Sequence, residues 1–288
     1  MKYLDLTFSD AAQNLACDEA LLEYFEQARS AAELLRIWQP DRYFVVLGHG
    51  NKWRDEVDAS ACAADGIPVL RRCSGGGTVL QGPGCLNYSL ILRQDNFSSA
   101  HVQAAFDFVL SRHRRSLEAL TARLVSVQGL CDLTLGERKF SGNAQYRKRE
   151  YVLVHGTFLL HFDLSLIERY LSMPAKQPDY RRRRSHGDFL VNAAVDPAKL
   201  REALRLEWGA EEESTAIAGD LMNRLMGERY RCAAWSGLRS RCQCSRCGLG
   251  HAGYADDSAL PAESAVPRVS SAAARPSHPR GPRASGAP

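Results

Sequence analysis

The chain has 288 residues, enough for one large domain or one domain with an appendage, and its apolar fraction of 45% is that of a chain that buries a core. No apolar run approaches the roughly 20 residues needed to span a bilayer, and the opening MKYLDLTFSD lacks the long apolar stretch and cleavage site of a signal peptide. The expectation is a soluble, cytoplasmic protein without a membrane partner; the net charge of +4 is modest, and no nucleic-acid-reading motif accompanies the basic residues, which excludes that partner class too.

In chain order, residues 2–7 alternate as a strand, and Ser9 is placed to cap a helix over about 10–27. Residues 34–38 and 43–47 read as two strands separated by the turn residues Pro40 and Asp41. A short helix over 55–64 and a strand over 67–71 follow, then a loop at Gly75, Gly76 and Gly77. Residues 86–92 read as a strand and 100–120 as a helix. Strands 131–135 and 138–141 flank Gly136-Glu137, and glycine first in a two-residue loop predicts a type II′ hairpin. A long strand over 151–162 leads to helices over 163–171, 197–206 and about 214–228. Hairpins mixed with helices, without regular strand–helix alternation, predict an α+β fold with a mixed, largely antiparallel sheet flanked by helices.

The composition changes after about residue 240. Residues 254–288 are dominated by Ala, Pro, Ser, Arg and Gly, which cannot bury enough surface to offset their ordering entropy. The expected organisation is a folded domain over 1–235 and a Cys-, Arg-, Ala- and Pro-rich tail over 236–288, expected to be disordered. Nine cysteines are present; Cys17, Cys62, Cys73, Cys85 and Cys131 are scattered singly, as reduced thiols are rather than a disulfide framework. In the tail, Cys244-x-x-Cys247 with Cys232, Cys242 and His251 nearby has metal-ligand spacing, but the second pair of a zinc site is missing; zinc and a non-functional tail both stay open. The run Arg181, Arg182, Arg183, Arg184 reads as a solvated face, with an acidic partner or phosphate as the other reading.

The chemistry-bearing stretch is Arg71-Arg72-Cys73-Ser74-Gly75-Gly76-Gly77-Thr78. Three glycines let a backbone approach a ligand, free N–H groups in such a loop form an anion-binding concavity, and flanking arginines add fork-shaped donors. Neither a Walker loop nor a dinucleotide fingerprint fits its spacing. Two further segments continue the pattern after Asn87-Tyr88-Ser89: Gly136-Glu137-Arg138-Lys139-Phe140-Ser141-Gly142-Asn143-Ala144-Gln145, and His155-Gly156-Thr157-Phe158.

Together these motifs resemble the lipoate–protein ligase A family, within the group of biotin and lipoate ligases and octanoyltransferases, over roughly residues 1–235. The resemblance implies a catalytic fold like that of biotin ligases and class II synthetases. It implies a pathway in which ATP and Mg2+ activate lipoate or octanoate as an acyl-adenylate. The acyl group then passes to a lysine of a lipoyl carrier domain, in a dehydrogenase complex or the glycine cleavage H protein. Carried over by motif, Lys139 is the catalytic lysine. Arg71, Arg72, Ser74, Gly75, Gly76, Gly77 and Thr78 hold the adenylate and acyl head, together with Asn87, Ser141, Gly142, Asn143 and Ala144. His155, Gly156 and Thr157 line the acyl pocket. Family ligases often carry an Asn-Asp pair near the hairpin; here it is Cys131-Asp132, which leaves Asp132 as the metal candidate. The stretch from Glu228 to Trp235 resembles the end of single-domain relatives, so activation could require a separate accessory subunit.

A positioned ammonium suits this chemistry, because attack on an acyl-adenylate builds negative charge on the carbonyl oxygen. ATP-independent octanoyltransferases share the fold and use a cysteine nucleophile. Neither of their cysteine positions is filled: position 124 is Leu, and Leu171-Ser172-Met173-Pro174-Ala175 has no cysteine. Cys131 matches neither position. The ligase reading therefore leads, with a cysteine transferase, a biotin ligase and a non-catalytic lipoyl-binding protein as alternatives.

Overall fold

In the computed structural model of the chain, residues 1–29, 31–97, 101–214 and 218–237 are described; the Cys244–Cys247 spacing and most of the expected tail lie outside them. The strands are β1 (Lys2–Asp5), β2 (Leu34–Trp38), β3 (Phe44–Leu47), β4 (Val69–Arg71), β5 (Val79–Gln81), β6 (Cys85–Arg93), β7 (Val125–Gln128), β8 (Asp132–Leu135), β9 (Arg138–Arg147), β10 (Tyr151–Leu159) and β11 (Glu212–Glu213). The helices are α1 (Ala11–Ala28), α2 (Trp53–Glu56), α3 (Ala59–Ala64), α4 (Val102–Thr121), α5 (Ser165–Tyr170), α6 (His186–Phe189), α7 (Pro197–Glu207), α8 (Gly219–Leu225) and α9 (Ala233–Ser236).

One eight-stranded sheet runs β11-β1-β2-β6-β10-β9-β8-β7, and a small sheet runs β4-β3-β5. In the large sheet β1 pairs parallel with β2 and β11, while the other ladders are antiparallel. The α+β expectation holds. Strand β6 is buried along almost its whole length, because helices cover both of its faces. Leu90 and Leu92 join the α4 and α7 core with Leu117, Leu200 and Leu204, whereas Ile91 joins the α1 and α8 core with Leu22 and Leu225. The small sheet has its own core, in which Val45 and Leu80 meet Ile167 and Phe189. No helix of the described residues is long and apolar enough to cross a membrane.

Several elements differ from the sequence expectation for local reasons. Asp10, not Ser9, caps α1, its carboxylate accepting from the Ala12 amide at 2.9 Å. The single helix expected over 55–64 is two, because Val57 turns extended to bridge Leu171 and Asp58 starts a new cap. Strands β5 and β7 were not foreseen, being only three and four residues long. In the stretch expected as a helix over 214–228, α8 begins at Gly219 and widens into a π turn at Met226–Tyr230. The hairpin behaves as its glycine predicts: Gly136 has φ 62°, Glu137 is not left-handed, and Leu135 pairs with Arg138.

Candidate active site

Register brings the second and third motifs together. On the central strands, His155 lies between Ser89 and Ala144, Gly156 between Tyr88 and Asn143, and Thr157 between Asn87 and Gly142. A cavity of about 350 Å³ is lined by this stretch and by the glycine loop. Of the residues singled out in the sequence, its lining includes Arg72, Gly76, Gly77, Thr78, Asn87, Asp132, Lys139, Ser141, Gly142, Asn143, Ala144, His155, Gly156 and Thr157. Arg71, Ser74 and Gly75 are not part of it.

The two adjacent arginines are used differently. Arg72 is buried, yet its guanidinium, which burial pulls down to about 10, remains cationic at neutral pH. It holds the glycine loop by its carbonyls, donating to the oxygens of Gly75 at 2.6 Å and Gly77 at 2.9 Å, and to Ser74 Oγ at 3.0 Å. The loop needs glycine on both sides of one contact: Gly76 has φ 91°, and a Cβ on Gly48 would lie 2.1 Å from the Gly76 oxygen. Arg71 faces away. Its donors reach the carbonyls of Gly48 (2.8 Å), His49 (2.9 Å), Asn51 (2.7 Å) and Trp235 (2.7 Å), and Trp235 Nε1 donates back to the Arg71 carbonyl at 2.9 Å. Arg71 is therefore an anchor between the loop region and the C-terminal segment.

Ser74 is fully buried, with Oγ 2.6 Å from His155 Nε2; His155 Nδ1 faces Asp18 Oδ2 at 3.4 Å, and Asp18 pairs with Arg36 at 2.6 Å. The order resembles a hydrolase relay, but a serine without access to the cavity cannot attack a substrate. Because Arg72 donates to Oγ, the Ser74 proton is free for Nε2, and the His155 Nδ1 proton faces Asp18. Burial alone would raise the Asp18 carboxyl, but Arg36 and the histidine outweigh it and hold it below its ordinary value. The network fixes the ring that faces the cavity. Asn87, Gln81 and Thr157 form a second closed set: Gln81 Nε2 donates to Thr157 Oγ1 (2.5 Å), Thr157 to Asn87 Oδ1 (2.6 Å), and Asn87 Nδ2 to Gln81 Oε1 (3.1 Å).

Lys139 owes its placement to two irregularities. A bulge shifts the β8–β9 register, with Leu133 opposite Ser141 but Thr134 opposite Lys139, leaving Phe140 unpaired. Gly142 then leaves room for the lysine, since a Cβ there would lie 2.7 Å from Lys139 Nζ. The ammonium pairs with Asp132 Oδ1 at 2.7 Å, and Tyr180 Oη donates to the other carboxylate oxygen at 2.7 Å. Gly156 does the same for Asn143, whose Oδ1 would lie 1.9 Å from a Cβ at that position; Asn143 accepts from Tyr88 Oη at 2.7 Å and donates to the Cys131 carbonyl at 2.6 Å.

The described residues contain no group of three or more His, Cys, Asp or Glu side chains able to hold a metal ion, and both Asp132 oxygens already have partners. The donor set does not fit a resident Mg2+, which usually brings several waters and needs substrate phosphates besides carboxylates.

Sequence reasoning missed Gly48, Asp18, Gln81, Tyr88 and Tyr180. Asp18 did leave a signal: an acidic residue on the apolar face of α1, beside Leu15 and Leu22. Tyr180 left none, because its contact with Asp132 spans 48 positions of irregular chain. Cys131 lines the cavity, unlike the other described cysteines. Its thiol donates to the Asn143 carbonyl at 3.0 Å and is pushed up to about 11, mainly by burial and then by Asp132.

An exposed glycine loop held by the buried Arg72, a placed Lys139 ammonium and a cavity with both apolar and charged lining residues thus come together on the mixed sheet. The chain belongs to the lipoyl protein ligase A/B catalytic domain family, whose model matches residues 10–194. It is 27% identical to lipoate–protein ligase 1 of Staphylococcus aureus over 82% of this chain and 73% of that protein. It is 28% identical to the octanoyltransferase LipM of Carboxydothermus hydrogenoformans over 81% of this chain and 97% of that protein. The fold matches a lipoate-protein ligase A bound with ATP, at TM-score 0.70 and 24% identity over 82% of this chain and 97% of that one. It also matches a chain from the structural analysis of an archaeal lipoylation system, a bi-partite lipoate protein ligase and its E2 lipoyl domain from Thermoplasma acidophilum: TM-score 0.72, 24% identity, 84% of this chain and 98% of that one.

Proposed function

We propose that the protein is a lipoate–protein ligase. It joins the carboxylate of lipoate or octanoate to the α-phosphorus of ATP, releasing pyrophosphate, and passes the acyl group from AMP to the ε-amine of a lysine on a lipoyl carrier domain. Carrier domains of dehydrogenase complexes and the glycine cleavage H protein are the acceptors of this class. The observation that carries the reading is Lys139: its ammonium stands in the cavity over Gly142, in a lining shared with Arg72. As the carrier amine attacks, charge grows on the carbonyl oxygen, and a pre-placed ammonium stabilises it without reorganisation. Leu15, Trp38, Val46, Val79 and Leu80 supply an apolar lining for the acyl chain. Mg2+ belongs to this reading only as a counter-ion brought by the nucleotide. The bi-partite relative supports a separate accessory subunit for the activation step.

The presence of Cys131 in the cavity favours one second reading, an octanoyltransferase with a thioester intermediate. A reactive cysteine is normally held as thiolate by nearby positive charge. Cys131 is instead protonated, donating to a carbonyl, with Asp132 next to it. The test is incubation with an apo lipoyl domain and an octanoyl carrier thioester without ATP, beside incubation with ATP, magnesium and lipoate read by mass analysis for lipoyl-AMP. The expected result is no transfer in the first and, in the second, lipoyl-AMP once the accessory subunit is supplied with the chain. Efficient ATP-free transfer that vanishes in Cys131→Ser overturns the ligase reading in favour of the transferase.

A further inference from the structure

The arginine run is not one solvated face. Arg181 is buried and Arg184 half-buried, whereas Arg182 and Arg183 are exposed. Arg181 Nε donates to the Arg184 carbonyl and Arg184 Nε to the Arg181 carbonyl, each at 3.1 Å, and both guanidinium groups lie over the Phe189 ring. Between them Arg182 and Arg183 have φ 51° and 58°; two successive non-glycine residues in the left-handed region are costly and persist only where the surroundings over-determine them.

What over-determines this segment is the hairpin that carries Lys139. Arg184 Nη2 donates to the carbonyl of Glu137, in the turn itself, at 3.0 Å, and to the Tyr180 carbonyl at 2.9 Å. Tyr180 Oη reaches Asp132 on the other strand at 2.7 Å. Farther along, the Val191 amide donates to the Lys139 carbonyl at 3.0 Å, and Leu190 bridges Lys139 in parallel. One segment thus holds the base of the hairpin, its tip, the backbone of Lys139 and, through Asp132, its ammonium.

We propose that residues 180–191 form a clasp that sets the position of Lys139, with Tyr180 as a positioning residue acting through Asp132. The proposal rests on the acyl-transfer reading of Lys139. Burial first, and then the charge of Asp132, push the Tyr180 hydroxyl up, so it stays a donor to the carboxylate at any working pH. With that donor in place, the Asp132 carboxylate has one oxygen for Lys139 and cannot swing away from it. Without it, the lysine keeps its charge but loses its fixed address, which matters for a group that works by pre-placement.

The test uses the full chain and the variants Tyr180→Phe and Arg184→Ala. Single-turnover transfer from synthetic lipoyl-AMP to an apo lipoyl domain should fall about tenfold in Tyr180→Phe, with an unchanged concentration dependence on carrier. In a Lys139→Ala background the same substitution should have no further effect, because the two act as one unit. Hydrogen exchange of amides 132–142 should rise in both variants, while the amides of α4 keep wild-type protection. Unchanged transfer in Tyr180→Phe, or an equal loss in both backgrounds, overturns the clasp. If the wild-type protein transfers nothing but hairpin protection still falls in both variants, the functional reading fails and the clasp stands; wild-type protection in both variants overturns the clasp on its own.

Discussion

The cavity has two kinds of wall. One is sheet: β6, β9 and β10, where backbone ladders fix which residues share a face and where two glycines, Gly142 and Gly156, leave room for Lys139 and Asn143. The other is the segment that runs from Arg181 through the single turn of α6, with His186 and Phe189, whose place is fixed by side chains bonded to backbone. The first wall is built by periodicity, so a motif of a few residues describes it. The second is built by long-range contacts, so no local pattern describes it. Lys139 stands where they meet, on a sheet hairpin gripped by that segment.

The largest effect expected is on the sheet wall. Lys139→Ala should lose about a hundred- to thousandfold in transfer from synthetic lipoyl-AMP, corresponding to about 2.7–4 kcal/mol. Asp132 keeps its Tyr180 donor, so the stability cost in a thermal melt should stay near 1 kcal/mol, at the low end for a lost partner. Lys139→Arg should not restore the rate, because a planar guanidinium does not fit the place of a compact ammonium. Gly142→Ala offers a sharper cut, since it keeps the lysine but displaces it; a rate as low as that of Lys139→Ala would show that position, not charge alone, is what the sheet supplies. Wild-type transfer by a folded Lys139→Ala protein removes the lysine from the mechanism.

The same contrast explains what the sequence made legible. The hairpin announced itself through Gly136-Glu137, and the Lys139, Ser141 and Gly142 spacing placed the lysine on it. The α+β class followed from strands and helices out of regular alternation. The use of Arg71 and Arg72 was not legible: Arg71 ends β4 and Arg72 opens the loop after it, and only the fold shows that Arg72 faces the cavity while Arg71 faces Trp235. Arg36 was hidden because a hydrophobic pattern does not register a buried charge on a strand, and only its partner Asp18, an acidic residue on the apolar face of α1, left a trace. Strand β5 was hidden by its three residues.

The next effect concerns where the domain stops. The sequence put the boundary at 235, but Arg71 also donates to the Ser236 carbonyl at 3.3 Å, and a Cβ on Gly237 would lie 3.0 Å from Arg71 Nη2. A chain ending at 240 should melt like the full-length protein and keep its ligand affinity. One ending at 231 strips Arg71 of its Trp235 and Ser236 carbonyls, a buried-donor loss of about 1–3 kcal/mol. For a domain of this size that is roughly 2–4 °C in melting temperature per kcal/mol. Equal melting of the two truncations would show that the C-terminal segment is not an anchor. A large loss already at 240 would mean that the tail contributes to the fold.

The smallest effect separates the two halves of the arginine run. Arg182 and Arg183 are exposed, and the Arg182 guanidinium forms a long pair with Glu137, at 3.7 Å with both side chains largely in solvent. Such a pair contributes about 0–1 kcal/mol to stability. Replacing both residues by Ala should therefore leave the melt unchanged and slow carrier association a few-fold at low salt, provided the carrier surface is acidic; the effect should fade as ionic strength rises and the Debye length shortens. Replacing Arg181 and Arg184 instead should lower the melt and the transfer rate at every salt concentration, because these two bind backbone and the Phe189 ring rather than a diffusing partner. The readout is stopped-flow association with an apo lipoyl domain at several salt concentrations, paired with thermal melts. Salt-independent slowing by the exposed pair would place Arg182 and Arg183 inside the clasp as well and erase the division drawn between them and their neighbours.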